Sequence, residues 1–252
     1  MSLLGASRDD CSVSFYFFDI DDNLLFLPTR IYITDTETGA EKGLSTGAFA
    51  DVESLLGKPG PWEAWALGPG AFRDFSDAPG ESAFVRDIGA ALGAQGWRGP
   101  SWPLYLHACA EGRPTAFITA RGHAPETIRA GLAALAAAGA APCLPDVLAI
   151  FPVSHPQTRA ALGGDAHTTT PVLKRRAILQ AVEAGLAAHG AAPPHRFGMS
   201  DDDPRNVSLI VAAMRDAKAR HPDKRFFVID TNRADHVKLE VFAMDYPATK
   251  QG

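Results

Sequence analysis

The fold is decided by residues 14–23, Ser-Phe-Tyr-Phe-Phe-Asp-Ile-Asp-Asp-Asn, in which four consecutive aromatic side chains lead directly into a cluster of acids. A short apolar run that does not alternate with polar residues is typical of a strand buried on both faces of a parallel sheet. Asp19, Asp21 and Asp22 follow this run. The sequence therefore predicts three carboxylates at the carboxyl edge of a sheet, where open α/β folds bind their ligands.

Similar short apolar runs recur along the chain and alternate with segments of helical period. Strands are predicted at 116–118, 147–151, 197–199 and 226–229, and helices at 125–138, 172–188 and 206–219. This alternation favours an α/β fold with a Rossmann-like, doubly wound parallel sheet. We predict that residues 1–23 and 114–252 form this core domain.

Residues 24–113 break the alternation and are predicted to form a modest insertion, or cap, after the first strand. The alternating stretch 30–46 indicates a β-hairpin. Residues 57–80 contain nine Gly and Pro residues and are predicted to be loop. Residues 81–92 place apolar side chains on one side of a predicted helix.

Composition excludes several classes of protein. The chain has 252 residues, 46% of them apolar and 21% charged, which is typical of a soluble globular protein. Its net charge of -5, without a basic stripe, argues against nucleic-acid binding through charge. It contains neither a membrane-length apolar run nor a signal peptide, so we expect a cytoplasmic protein. Cys11, Cys109 and Cys143 are expected to be free thiols, and the oligomeric state stays open.

A second acidic cluster follows the predicted strand 197–199, where Asp201, Asp202 and Asp203 precede Pro204. If the two strands are neighbours, six acids converge, and each like-charged pair 4 Å apart costs about 4 kcal/mol at an effective dielectric constant of 20. A hard divalent cation would relieve that repulsion, and oxygen ligands without clustered His or Cys favour Mg²⁺. Either cluster alone is also typical of an Asx-turn or a helix cap, as Asp203-Pro204 illustrates.

Two further residues share this predicted edge. Thr119 follows the strand 116–118 and places a hydroxyl there. Lys174 is the only lysine between Lys58 and Lys218, and it lies at the start of a predicted helix. A solvated surface position for Lys174 is an equally good interpretation of the charge pattern.

The order of these features resembles the haloacid dehalogenase superfamily of phosphohydrolases and phosphotransferases. The resemblance rests on four motifs: Asp19-Ile20-Asp21-Asp22-Asn23, Thr119, Lys174, and Ser200-Asp201-Asp202 with Asn206. It covers roughly residues 14–23 and 114–230, but not the insertion. Asn23 departs from the usual Thr or Val of the first motif, although an amide can still bond to backbone there.

The resemblance implies a phosphatase that acts through a covalent intermediate. Asp19 resembles the nucleophile that becomes an aspartyl-phosphate. Asp21 would protonate the leaving oxygen and then deprotonate the hydrolytic water. Mg²⁺ would be held by Asp19, the backbone carbonyl of Asp21 and Asp201, with Asp202 as a further or substitute ligand.

The remaining candidate residues concern the substrate. Thr119 and Lys174 would hold the phosphoryl oxygens, and Asn206 would orient groups around them or contact the substrate. Arg121 and His123 follow Thr119 and are expected either to contact substrate or to serve as capping or surface residues.

Three alternatives compete with this interpretation. A response-regulator receiver domain also gathers acids, a Thr and a Lys, but its Lys comes last in the chain, whereas Lys174 precedes the second acidic cluster. A catalytically quiet binding or regulatory module would be signalled by loss of Asp19 or Asp21, and both are present. Dehalogenation does not need the acid that Asp21 supplies. The substrate, a small phosphorylated metabolite or nucleotide, is left open.

Overall fold

The computed structural model describes residues 12–80, 82–232 and 237–243. The strands are β1 (Ser14–Phe18), β2 (Ile31–Asp35), β3 (Glu41–Leu44), β4 (Trp65–Leu67), β5 (Pro114–Thr119), β6 (Asp146–Pro152), β7 (Arg196–Asp201), β8 (Arg225–Asp230) and β9 (Val237–Val241). The helices are α1 (Thr46–Val52), α2 (Ala83–Leu92), α3 (Trp102–Ala110), α4 (Pro125–Ala137), α5 (Pro156–Ala161), α6 (Thr170–His189) and α7 (Pro204–Arg220).

The main sheet has six strands in the order β6-β5-β1-β7-β8-β9. The first five strands are parallel, and β9 pairs antiparallel with β8. The chain moves from β1 outward to β5 and β6 on one side and then returns to β7 on the other side. Strand order therefore reverses between β1 and β7, and such a switch point leaves a crevice at the carboxyl ends of the strands. The predicted α/β sheet is confirmed.

Helices cover both faces of this sheet. Phe15 and Phe17 belong to a buried cluster with apolar residues of α6 and α7. Phe18 belongs to a second cluster with residues of α2, α3 and α4. Successive side chains of a strand point to opposite faces, so one aromatic run supplies both clusters. Burial of β1 on both faces, predicted from its lack of alternation, is confirmed.

A small antiparallel sheet, in the order β3-β2-β4, follows β1 in the chain. The predicted hairpin is present as β2 and β3, with Thr34 opposite Glu41. Strand β4 lies within 57–80, which the Gly and Pro content predicted to be loop, and there the prediction was wrong. Backbone pairing of β4 with β2 stabilises the strand despite its surroundings.

Only part of the segment 24–113 has a core of its own. Ile31, Ile33, Leu44, Phe49 and Phe75 form a separate buried cluster. We call residues 31–75 the small-sheet unit. Helices α2 and α3 belong to the same segment of sequence, but they pack with Phe18 on the main sheet. Helix α2 begins at position 83, and position 81 of the predicted helix lies outside the described residues.

Two expectations about the whole chain can be compared with the described residues. Within those ranges, none of the helices combines the length and the apolar character that crossing a bilayer requires. Cys109 and Cys143 are free thiols, as expected, and Cys11 lies outside the described residues.

Candidate active site

Three carboxylates meet at the carboxyl edge of the main sheet. Asp19 follows β1, Asp201 is the last residue of β7, and Asp202 comes next. Because β1 and β7 are paired with Phe18 opposite Ser200, their final residues arrive at the same edge. One oxygen from each of the three carboxylates lies within 4.8 Å of the others. We call Asp19, Asp201 and Asp202 the acidic cluster.

Lys174 lies in the first turns of α6 and points into the acidic cluster. Its ammonium Nζ donates to Asp19 Oδ1 at 3.1 Å and to Asp201 Oδ2 at 3.4 Å. Only 4% of its side chain is exposed. Lys174 is thus a buried counter-ion, and the solvated surface position that the charge pattern also allowed is not the one observed.

When all three acids of the cluster are ionised, their negative charge exceeds the positive charge of Lys174, and the pKa values of Asp19 and Asp202 are raised. Burial raises the pKa of Asp19 well above its ordinary value, although Lys174 opposes the shift and Asp201 adds to it. Burial, with the neighbouring Asp201, raises the pKa of Asp202 to about 7. Burial disfavours the ammonium of Lys174, but the Asp19 and Asp201 carboxylates outweigh it and raise the pKa of this lysine. One ammonium cannot balance three carboxylates.

The start of α7 holds Asp201 in place. Asn206 Nδ2 donates to Asp201 Oδ1 at 3.1 Å, and the backbone N–H of Asp203 donates to the same oxygen at 3.1 Å. The carboxylate of Asp203 accepts from the backbone N–H of Arg205 at 2.8 Å, which makes Asp203 the N-cap of α7. The helix-cap reading is confirmed for Asp203, whose acid is outside the acidic cluster.

Asn23 ties the loop after β1 to its neighbours. It is fully buried, and its Nδ2 donates to the carbonyls of Asp19 at 3.0 Å and Ser200 at 3.2 Å. Its Oδ1 accepts from the hydroxyls of Ser101 and Thr231. The expectation that an amide can bond to backbone at this position is confirmed.

Asp21 lies next to the acidic cluster and is clamped by Arg121. Arg121 Nε donates to Asp21 Oδ2 at 2.9 Å, and Arg121 Nη2 donates to Asp21 Oδ1 at 2.6 Å. The same Nη2 donates to Thr29 Oγ1, which in turn donates to Asp87. The side chain of Arg121 is 0% exposed, against 17% for that of Asp21. Arg121 therefore holds Asp21, a catalytic candidate, from a fully buried position.

Thr119 and His123 are also buried beside this edge. The Thr119 hydroxyl accepts from the backbone N–H of Arg121 at 3.3 Å. Neither ring nitrogen of His123 has a hydrogen-bond partner among the described residues. Burial, followed by the positive charge of Arg121, lowers the pKa of His123 to about 4. His123 is therefore a neutral ring at neutral pH.

A cavity of about 980 Å³ lies between the sheet edge and the small-sheet unit. Its floor includes Asp19, Asp21, Asp202, Lys174 and Asn206. The small-sheet unit lines another part of the cavity with both apolar residues and the acids Asp51 and Glu53; we call its apolar lining residues Ile31, Phe49, Phe72 and Phe75 the roof. Thr119, Arg121 and His123 are not among the described residues that line this cavity, although the neighbouring Ala120 and Gly122 are.

Sequence reasoning missed two groups around the site. Asn232 donates from Nδ2 to the backbone carbonyl of Asp202 at 2.7 Å. It follows the parallel strand β8, so the rule that identified the acidic clusters applies to it as well. The roof could not be found in this way. Phe72 and Phe75 lie in the Gly- and Pro-rich stretch 57–80, which has no regular periodicity, and Ile31 is the first residue of the short strand β2.

Comparisons of this chain with protein-family models, with curated proteins and with solved structures gave no match.

Proposed function

We propose that the chain is a Mg²⁺-dependent phosphomonoester hydrolase that acts through an aspartyl-phosphate on Asp19, and that its parallel sheet is the Rossmann-like core of the haloacid dehalogenase superfamily. One observation carries the proposal. The nucleophile candidate Asp19, the adjacent acids Asp201 and Asp202, and the cation Lys174 come from three separate parts of the sequence. They share one cluster, buried except at the partly exposed Asp202, beneath an open cavity.

The donor set fits Mg²⁺. Asp19, Asp201 and Asp202 offer carboxylate oxygens only, which a hard divalent cation prefers. The negative charge left unbalanced by Lys174 favours the same ion. When bound, Mg²⁺ would shield the Asp19 carboxylate from the negative charge of the phosphoryl group.

The residues of the chain would then act in two steps. Asp19 attacks phosphorus, the bond from phosphorus to the ester oxygen breaks, and Asp21 gives its proton to the leaving oxygen. Water then attacks phosphorus, and Asp21 takes a proton from this water. The bond from the Asp19 carboxylate to phosphorus breaks, which releases inorganic phosphate. Lys174 offsets charge on the phosphoryl oxygens during both steps. The Thr119 hydroxyl is buried at the same sheet edge, where it accepts from the backbone N–H of Arg121, and Asn206 fixes Asp201.

The test is phosphate release from a phosphomonoester by the purified chain. We expect release with Mg²⁺, none with a chelator, and recovery when Mg²⁺ is added back. Asp19→Asn, nearly isosteric, should lower kcat by roughly 10⁴-fold or more, since losing a nucleophile costs an enzyme most of its rate. Acid-quenched wild-type protein should carry an acyl phosphate that the Asp19→Asn variant lacks.

Asp146→Asn is a matched control. Asp146 is the exposed first residue of β6, so it lies at the opposite, amino-terminal edge of the same sheet. It should retain full activity. A rate that survives chelation, or an active Asp19→Asn variant, would show that the proposal is incorrect.

A further inference from the structure

The roof presents an aromatic surface to the cavity. Phe72 is 46% exposed, whereas Phe49 and Phe75 beside it are buried. The Phe72 ring stands nearly perpendicular to Phe49 at 5.9 Å between centroids, and it meets Phe75 at 6.1 Å. Both neighbours support Phe72 from the core of the small-sheet unit. An apolar ring that is held rigidly and left half exposed inside a cavity offers a platform for another planar ring.

The charges around the cavity favour a partner without additional negative groups. Among the described residues that line it, the cations are Lys174 and Arg205. Lys174 is paired with Asp19 and Asp201, and Arg205 is paired with Asp203 and Glu53. Asp22 and Asp51 add further acids to the lining. A substrate with a second anionic group would meet carboxylates, whereas ring N–H and amino groups would find acceptors.

The cavity is also large enough for a ring and a linking sugar. Its volume of about 980 Å³ is at the upper end of the roughly 300–1,000 Å³ common for small-molecule sites. Its floor holds the candidate phosphoryl site and its roof holds the aromatic platform, so a substrate that spans it carries phosphate at one end and a ring at the other.

We propose that the substrate is a phosphomonoester whose leaving group bears a planar, uncharged nitrogen heterocycle, as in a nucleoside monophosphate, and that Phe72 binds the ring. This inference rests on the proposed phosphatase function. It assigns Phe72 a role in selecting the substrate and none in the chemical steps.

The experiment compares two substrates that share the ribose and the phosphate, a nucleoside 5′-monophosphate and ribose 5-phosphate, of which only the first carries the base. Wild-type protein should favour the nucleotide in kcat/KM by about tenfold to 100-fold, the range that a ring of this kind commonly contributes to discrimination. Phe72→Ala should bring that ratio close to one by lowering kcat/KM for the nucleotide. Phe72→Trp, which keeps a planar ring, should preserve the preference. A nucleoside 3′,5′-bisphosphate should be a poorer substrate than the monophosphate.

Two controls make the result decisive. Phe242→Ala removes a phenylalanine that is 67% exposed beyond β9, away from the cavity, and should change neither rate. Binding of the free nucleoside, measured by ligand-observed NMR, gives a second readout that needs no hydrolysis and should weaken in Phe72→Ala.

Failure of this inference and failure of the proposed function give different results. Equal kcat/KM for the two esters in wild-type protein, or a preference that persists in Phe72→Ala, overturns the aromatic site and leaves the phosphatase standing. If no ester is hydrolysed but the nucleoside binds in a manner that depends on Phe72, the phosphatase is overturned and the ring site stands.

Discussion

The carboxyl edge of the main sheet and the roof above it face the same cavity but are built in different ways. The edge consists of charged side chains buried at the ends of parallel strands, where Asp19 and Asp201 share the ammonium of Lys174. The roof consists of aromatic side chains on a small unit with its own core. Burying a charge costs free energy unless the charge is paired and hydrogen-bonded, whereas an apolar side chain needs only to be shielded from water. Under the proposed function, the edge supplies the reactive groups and the roof selects the substrate.

Arg121 lies where the two regions meet, and changing it tests whether they are separate. Its guanidinium carbon is 4.8 Å from the ring centroids of both Phe75 and Phe84, while its nitrogens hold Asp21. Asp21→Asn should lower kcat/KM on an alkyl phosphate by about 10² to 10⁴-fold, as expected for loss of a general acid, and by less on an aryl phosphate. Arg121→Met should show the same substrate pattern with a smaller loss, because Asp21 remains but loses its orientation.

A double-variant cycle decides this point. If Arg121 acts through Asp21, the variant carrying both changes should be no slower than Asp21→Asn alone. If the losses in kcat/KM of the two single variants multiply in the double variant, Arg121 does not act through Asp21. If Asp21→Asn loses kcat/KM equally on alkyl and aryl esters, Asp21 is not the general acid.

Lys174 and Lys224, both buried, sharpen the comparison because they lie at opposite edges of the main sheet. Lys174 contacts the acidic cluster, whereas Lys224 precedes β8 and donates to the carbonyl of Ala191 and to Asp223. Lys174→Met should slow alkyl and aryl phosphates alike by about 10² to 10³-fold, as loss of one electrostatic stabiliser does. Lys224→Met should affect the free energy of unfolding but not kcat/KM. If the two variants have similar kcat/KM values, Lys174 is not the cation that offsets charge in the site.

His123 offers the smallest effect, on stability alone. Its pKa of about 4 in the folded chain lies below the ordinary 6.5, so the unfolded chain binds the extra proton first as pH falls. The contribution of the neutral His123 ring to the free energy of unfolding is complete above pH 6.5 and is lost as pH drops toward 4. Between pH 7 and pH 5 it can reach about 2 kcal/mol in the free energy of unfolding. Urea unfolding of His123→Leu should show a smaller loss over this range than wild type, whereas the exposed His167→Gln should match wild type.

The main sheet and the acidic cluster were predictable because local patterns determine both. An apolar run such as 15–18 is enough to predict a buried strand. The residues that follow a strand of a parallel sheet lie at the carboxyl edge of that sheet. Helices α4, α6 and α7 begin within two residues of their predicted starts. The placement of Lys174 at the site followed only from the resemblance, since the charge pattern alone left this lysine undecided.

Elements that depend on distant partners were not predictable. Strand β4 exists because it pairs with β2, although its own neighbours are rich in Gly and Pro. Helix α3 has apolar residues on more than one side, with Trp102, Tyr105 and Cys109 all buried, and so lacks an amphipathic period. The burial of Arg121 likewise requires Asp21, Thr29 and two aromatic rings from other segments, none of which its local sequence reveals.

Lys174 also bears on the order in which the molecule is assembled. Small zinc domains stay unfolded until their metal arrives, because nothing else in the chain neutralises their ligands. Here the chain brings its own cation to Asp19 and Asp201, so the strands that carry these acids can pair before any ion is present. We therefore expect the protein to fold without Mg²⁺; under the proposed function, binding of Mg²⁺ would then be a reversible equilibrium of the folded structure.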